Sequence, residues 1–539
     1  MFKRIKLVTA VLLILSLLAG CGSGSALQKK DEKVFTIASS MNLTTMRPWT
    51  SDTDGDYYIF FQVYSRLVES DFVGNYYPEL VESWECAEDG RTWTFHLSPD
   101  YCWQRGNDLF GDELVQVTAD DVLYTLRFHM DPVNTCTRYE DLLSTIESMR
   151  AVDDKTVEIV TKDVDILLLY KLATVVILPE RAEEKGWDLA EHPVGSGPFK
   201  WDSSITDTQV VLVKNDDYFI EPNIDKVVYK FIEDPSAAAI ALANGEVDYV
   251  DYFPYTELEG VKQKKEVTLF GGTSDSRWAA MNVTSELFSD LRVRKAVASF
   301  TDMEAIVAAA YPDDGSGVVQ AVRAYGQIPP ENLGGDQERA KAHTPAYDVD
   351  KGIALMEEAG WKKNGAGIWE KDGKTFTFNI QVGTNDPVRI NCAVLLSAML
   401  AKQGFDCQPV TVEWGTHLED ISEGRCPMYI IGGFSGIDGP MQVMHTDTES
   451  FNPNPGFSDP EVDALLEEAW RTTDDEKREE LVTRAQELWL DQVVFLPMYF
   501  SYNFQAYDQD RVKGLFEGGA DSVVFCLTSR LHNVDIAQQ

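Results

Sequence analysis

Apolar residues fill Val8 to Leu18 almost without interruption, behind a basic start of Lys3, Arg4 and Lys6. A bilayer span takes about 20 residues, so this run is short for one. It ends on small residues, the layout of an export signal that is cut away. Gly22 to Lys33 is small, polar and charged, and reads as a flexible leash. The body then opens on a predicted strand, Val34-Phe35-Thr36-Ile37-Ala38, and a polar loop reaching Pro48-Trp49. Strands are predicted again at Val157-Glu158-Ile159-Val160 and from Val210 to Val213. Between them Thr118 predicts a helix N-cap, with Asp121 at the third helical position and Val122, Leu123 and Leu126 as the apolar stripe. From about residue 290 helical spacing dominates. Ser458-Asp459-Pro460-Glu461 reads as a capping box ahead of Val462, Leu465, Leu466 and Ala469. Thr473 to Glu476 repeats the start signal for a helix running to about Leu490. Strands and helices interleave with no internal repeat, which is α/β text.

Composition narrows the class. A chain of 539 residues is long enough for two or three domains with sizeable cores, and 44% hydrophobic content with 12 Trp, 21 Tyr and 26 Phe is globular. The net charge of −41 repels nucleic acid and anionic lipid, so neither is an expected partner. No segment after residue 20 is long and apolar enough to cross a bilayer. Besides Cys21, the cysteines are Cys86, Cys102, Cys136, Cys392, Cys407, Cys426 and Cys526, an odd number without a Cys-x-x-Cys pair. Export permits disulfides, Cys86 with Cys102 or Cys392 with Cys407, and free buried thiols fit equally well.

Leu18-Ala19-Gly20-Cys21 resembles the bacterial lipobox. That resemblance implies removal of residues 1–20, acylation of Cys21 and a tether over 21–33. The protein is then expected outside the cytoplasm, lipid-anchored at the outer face of the cytoplasmic membrane or in the periplasm. The plainer alternative is a secretory signal whose cleavage site contains a cysteine.

A second resemblance spans roughly residues 34–515. It begins with Tyr64, Leu67-Val68, Tyr77-Pro78-Glu79-Leu80 and Glu82-Ser83-Trp84, then Asp89-Gly90-Arg91-Thr92-Trp93-Thr94-Phe95-His96-Leu97. Thr118-Ala119-Asp120-Asp121-Val122, Gly195-Ser196-Gly197-Pro198-Phe199, Asn215, Tyr218-Phe219 and Gly245-Glu246-Val247-Asp248 follow. Met281-Asn282, Leu291-Arg292-Val293-Arg294-Lys295-Ala296-Val297 and Glu357-Glu358-Ala359-Gly360-Trp361 complete it. In this order they resemble the family 5 substrate-binding proteins, the oligopeptide-, dipeptide- and nickel-type receptors of ABC importers. The resemblance implies a two-lobe periplasmic-binding-protein type II fold with an extra subdomain in the first lobe. Lobe I is expected at 34–73, 192–276 and 502–539, the inserted subdomain at 74–191 and lobe II at 277–501. It also implies a monomer without cofactor or metal that closes on a peptide or other small solute. The closed form is then recognised by an ABC permease and ATPase complex.

The ligand is expected between the lobes, held by loops leaving strands. Ser40, Asn42 and Thr45 follow the opening strand, and in peptide-binding relatives this segment offers backbone groups to an extended ligand. Trp49 ends that loop. Arg277 and Trp278 stand where the chain enters lobe II, Trp278 either as a ligand contact or as hinge packing. Trp414 completes the set with Phe434, Ser435 and Asp438, after the apolar strand Tyr429-Ile430-Ile431. In peptide receptors of this family a tryptophan and an aspartate near here hold the ligand, the aspartate pairing with its α-amino group. Here Phe434 stands at the aromatic position and Asp438 near the acidic one, while Asp438-Gly439-Pro440 equally reads as a turn.

Other patterns carry less. Gly195-Ser196-Gly197-Pro198 lacks the lysine of a phosphate loop and reads as a turn. Trp84 and Trp93 read as core, and Arg292, Arg294 and Lys295 as a solvated or capping cluster. Asp52, Asp54 and Asp56 alternate as in a calcium loop, but Gly55 is misplaced and no glutamate closes the loop. The rival functions are a carboxylate-dependent extracellular hydrolase and a receptor used for sensing. No Gly-x-Ser-x-Gly, His-Glu-x-x-His or Walker pattern occurs, and 88 acidic residues make carboxylate pairs uninformative.

Overall fold

Two long antiparallel strands, Val267–Met281 and Phe495–Asp508, form the spine of the protein and pair along nearly their whole length. The computed structural model describes residues 32–51, 53–71, 75–313, 315, 317–330, 332–384, 386–433, 439–446, 456–515 and 531–537. Cys21, Asp52, Phe434, Ser435, Asp438 and Cys526 lie outside them, as does the predicted signal with most of the tether. Pro497 sits inside the second long strand, and the register slips there: Arg277 faces Tyr499 and Trp278 faces Pro497. A proline has no N–H to give the ladder, and a bulge accommodates it.

On one flank of this spine the sheet continues through Tyr249–Val250, Val34–Ser39, Lys226–Phe231, Gln209–Lys214 and Phe199–Ile205. On the other it continues through Met428–Gly433, Thr377–Gly383 and Asp406–Val412. Each flank contains a parallel group. Val34–Ser39 runs parallel to Lys226–Phe231 and Tyr249–Val250, and Thr377–Gly383 runs parallel to Asp406–Val412 and Met428–Gly433.

The cores divide the same way. Phe35, Ile37, Tyr249 and Leu212 lie in one apolar cluster, and Ala38, Leu242, Val250, Phe253 and Ala506 in another on the same flank. On the opposite flank the alternation of a strand sends successive residues to two faces. Ala279 and Met281 enter the cluster of Val382, Leu396 and Ile430, while Trp278 and Ala280 enter that of Ile431, Trp489 and Phe495.

A separate four-stranded sheet, Val81–Cys86, Thr92–Leu97, Thr156–Thr161 and Ile146–Asp153 in spatial order, packs into the Phe35 cluster through Trp93, Phe95, Val157 and Ile159. Beside it runs helix Ala119–His129. Its capping box is the one expected, Thr118 with Asp121. The two later helices start one residue beyond the expected cap: Asp459 caps Pro460–Trp470 and Asp474 caps Asp475–Asp491. The Asp459 carboxylate accepts the N–H groups of Glu461 and Val462, and that of Asp474 accepts the Lys477 N–H. Gly195 and Gly197 pack against the end of helix Asp54–Val63. A Cβ at Gly195 would lie 2.0 Å from the Val63 carbonyl oxygen, so close approach of two backbones is what that motif provides. Arg294 is buried and donates to the carbonyls of Phe288, Ser289 and Gln492, whereas Arg292 pairs with the capping Asp290. The six described cysteines are thiols.

Candidate functional site

Ligands of open α/β sheets bind outside the carboxyl ends of the parallel strands. On the first flank Val34–Ser39 ends in the loop bearing Ser40, Asn42 and Thr45, with Glu233 and Asp251 just past the neighbouring strands. The Ser40 N–H donates to both Asp251 carboxylate oxygens, at 2.8 and 3.0 Å, and the Ser39 hydroxyl donates to the same carboxylate at 3.0 Å. Asn42 Nδ2 donates to Glu233 at 3.0 Å. Thr44 donates its N–H and hydroxyl to Asp56 at 2.8 and 2.5 Å, and Ser51 adds a third bond at 2.9 Å. Asp56 is thereby a fastener for this loop, which is the role its acid pattern plays here.

Thr45 faces inward along the loop, its hydroxyl 3.1 Å from that of Thr50 and accepting the Arg47 N–H. Trp49 is half-buried and packs edge-on against Phe128, with ring centres 5.3 Å apart. Burial raises the Asp251 pKa to about 6, against the bonds from Ser40 and Ser39, which favour the carboxylate.

The second flank repeats the layout with different chemistry. Beyond Thr377–Gly383, Asp386 caps helix Pro387–Lys402 by accepting the N–H groups of Val388 and Arg389 at 2.9 and 3.0 Å. The Arg389 guanidinium donates to Asp386 at 2.7 Å and lies over the Trp414 ring, 5.1 Å from its centre. Trp414 is half-buried and opens helix Trp414–Ser422, directly after strand Asp406–Val412 and the capping Glu413. Burial pushes the Asp386 pKa up, but the Arg389 hydrogen bonds and the charges of Arg389 and Arg277 outweigh it and hold the carboxyl below its usual range.

Arg277 stands on Val267–Met281 opposite Gly432 and Tyr499 and donates to the Ser276 carbonyl at 3.1 Å. A Cβ at Gly432 would lie 2.3 Å from Arg277 Cδ, so the glycine leaves room for that side chain to cross the strand. Trp278 points the other way. It is 0% exposed and stacks on Phe495 at 5.2 Å, giving its surface to the core.

The structure thus places Ser40 and Asn42 at one set of strand ends, and Trp414 with Arg277 at the other. Asp251, Glu233, Asp386 and Arg389 escaped the sequence reading. Asp386-Pro387 carried a signal, since a capping aspartate and a first-turn proline directly after a strand mark a strand-to-helix turn at the carboxyl end. Asp251 and Glu233 carried none beyond their position after apolar residues. Among the described residues no group of three or more His, Cys, Asp or Glu side chains is placed to share a metal ion.

Residues 75–455 match the model of the bacterial extracellular solute-binding proteins, family 5 Middle. Heme-binding protein A of Haemophilus influenzae is 27% identical over 84% of this chain and 84% of its own. The oligopeptide-binding protein AppA of Bacillus subtilis is 27% identical over 78% of each. The crystal structure of NikZ from Campylobacter jejuni in complex with Ni(L-His) superposes with a TM-score of 0.72 at 24% identity, covering 93% of this chain and 99% of that one. The fold is therefore the two-lobe, type II periplasmic-binding-protein fold. The relatives are named for ligands as unlike as heme, an oligopeptide and a nickel chelate. The chain belongs to the bacterial extracellular solute-binding proteins of family 5.

Proposed function

We propose that this protein captures a peptide or a similar small polar solute between its lobes and delivers it to an ABC permease and ATPase complex. It acts as a monomer, held at the outer face of the membrane by a lipid on Cys21. The observation that carries the reading is the presence of two groups of parallel-strand ends, one with the loop of Ser40 and Asn42, the other with Arg277, Arg389 and the Trp414 ring. A ligand that touches both sets only when they approach makes its own binding energy the driving force for closure. An extended peptide suits both walls, with main-chain bonds along the first and charge and ring contacts along the second. Asp438 is the proposed partner of a free α-amino group.

Mass spectrometry on small molecules released by denaturing the protein purified without residues 1–21 tests the ligand class. A set of short peptides supports the reading; a single sugar or metal chelate would replace the peptide with that solute. Asp438→Ala is expected to weaken a peptide with a free N-terminus far more than its N-acetylated form, and equal losses would remove Asp438 from the role. Palmitate labelling lost in Cys21→Ser tests the anchor, and labelling that persists would refute it.

A further inference from the structure

Asp251 is a buried carboxylate that accepts from neutral groups: the Ser40 N–H and hydroxyl, the Ser39 hydroxyl and the backbone of Tyr252. Tyr58 of helix Asp54–Val63 lies within its field, beside Asp54 and Tyr229. A buried carboxylate without a cation is costly, and it is usually met by a partner or by loss of the charge. Here the charge is directed at the peptide groups that follow two strand ends, that of Ser40 after Val34–Ser39 and that of Tyr252 after Tyr249–Val250. Asp56 holds the same loop at Thr44, and Glu233 holds it at Asn42. Gly55 lets the loop sit down on the helix start, since a Cβ there would lie 2.8 Å from that of Met41.

We propose that Asp251 is a positioning residue for the ligand, its ionised carboxylate fixing residues 39–42 in the conformation that faces the solute. This rests on the loop being a wall of the ligand site. When Asp251 gains a proton, one oxygen becomes a donor that faces the Ser39 hydroxyl. The Ser40 N–H then keeps only the other oxygen, and the loop loosens.

The sign of this effect separates it from a general structural role. Asp251 takes up its proton at higher pH in the folded chain than a free carboxyl would, to about pH 6. Through this group alone, acid therefore favours the folded state, a contribution present below the ordinary carboxylate range and lost as pH rises through 6. Ligand affinity moves the opposite way, falling over the same interval. A residue that merely supports the fold would move both in the same direction.

The test uses the full folded body without residues 1–21, as wild type and as Asp251→Asn, whose amide mimics the protonated acid. Hydrogen exchange of the 39–44 segment, corrected for intrinsic rate, needs no ligand. At about pH 7.5 the variant should exchange about five- to tenfold faster there than wild type, and wild type should lose that advantage by about pH 5. A defined library of short peptides with free N-termini is the binding probe. Wild-type affinity should fall by a similar factor between those pH values, with the variant flat and equal to wild type in acid. Equal exchange in the two proteins at neutral pH overturns the proposal, as does a variant that binds like wild type at every pH. If the library binds to neither protein while the exchange difference is present, the peptide reading fails and the fastening of the loop stands. Asp251→Ala, removing every acceptor, should exceed Asn in the exchange measurement; if Ala leaves exchange unchanged, the proposal also fails.

Discussion

The two groups of parallel-strand ends, the proposed walls of the ligand site, share an architecture and differ in how they are held. Both are carboxyl ends of parallel strands. On the first, residues 39–44 are fastened by carboxylates that accept from neutral N–H and hydroxyl groups, Asp251 and Asp56 above all. On the second, the carboxylate Asp386 answers to a guanidinium and to a helix start, and Arg389 in turn lies on Trp414. The first thus has its loop fixed through its own backbone N–H groups. The second sets out charge and an aromatic face, the elements that discriminate among side chains and termini. The same sheet layout thus ends in a loop held by neutral donors on one flank and in an ion pair beside an aromatic ring on the other.

The comparison breaks most visibly if the two tryptophans of the second flank are exchanged in role. Trp278→Ala is expected to cost about 3–5 kcal/mol in urea unfolding, because the ring is enclosed and stacked on Phe495. A loss under about 1 kcal/mol would return Trp278 to the cleft.

Next in size is acid sensitivity of the helix beside the four-stranded sheet. His129 is buried at the end of helix Ala119–His129, and burial, aided by the Arg138 charge, lowers its pKa to about 4. A histidine that resists protonation when folded contributes stability that is full above the unfolded value of about 6.5 and lost as pH falls toward 4, about 3 kcal/mol in all. Asp251 contributes with the opposite sign over an overlapping interval, so the wild-type profile hides both. His129→Gln should flatten the acid loss, and Asp251→Asn should deepen it.

Asp386→Ala removes a cap and the partner of Arg389. It is expected to cost about 1–2 kcal/mol at neutral pH. Its carboxyl is held below the usual range, so this stabilisation is present above the ordinary carboxylate pKa and lost in acid. Trp414→Ala is the mildest in stability, about 0.5–1 kcal/mol for the ring under Arg389. Solute binding should nevertheless fall clearly in that variant.

Much of this was legible in the chain, and the limits are physical. The Thr118–Asp121 cap is written within four residues and was found; Asp459 and Asp474 were missed by one position, since Ser, Thr and Asp all cap and adjacent candidates compete. The family motifs led to the two-lobe fold. The place of Ser40 and Asn42 at a strand end was legible because the strand before them is readable. Trp278 and Trp414 were named together, although one is core and the other half-exposed: side-chain direction in a strand depends on register, and that register is set by Phe495–Asp508 more than two hundred residues later. Asp386 carried a cap signal in Asp386-Pro387 that was passed over, and Asp251 was invisible among 88 acidic residues until the sheet aligned the strand ends.

The central claim is that a solute is held by both walls at once. Hydroxyl-radical footprinting with the peptide library reads this directly, using Met41 on the first wall and Trp414 on the second, with Phe219 as a reporter away from the strand ends. The account predicts that Met41 and Trp414 are protected together, at the same peptide concentration, while Phe219 is unchanged. Protection of one wall without the other, or of neither when a peptide is bound, would contradict it.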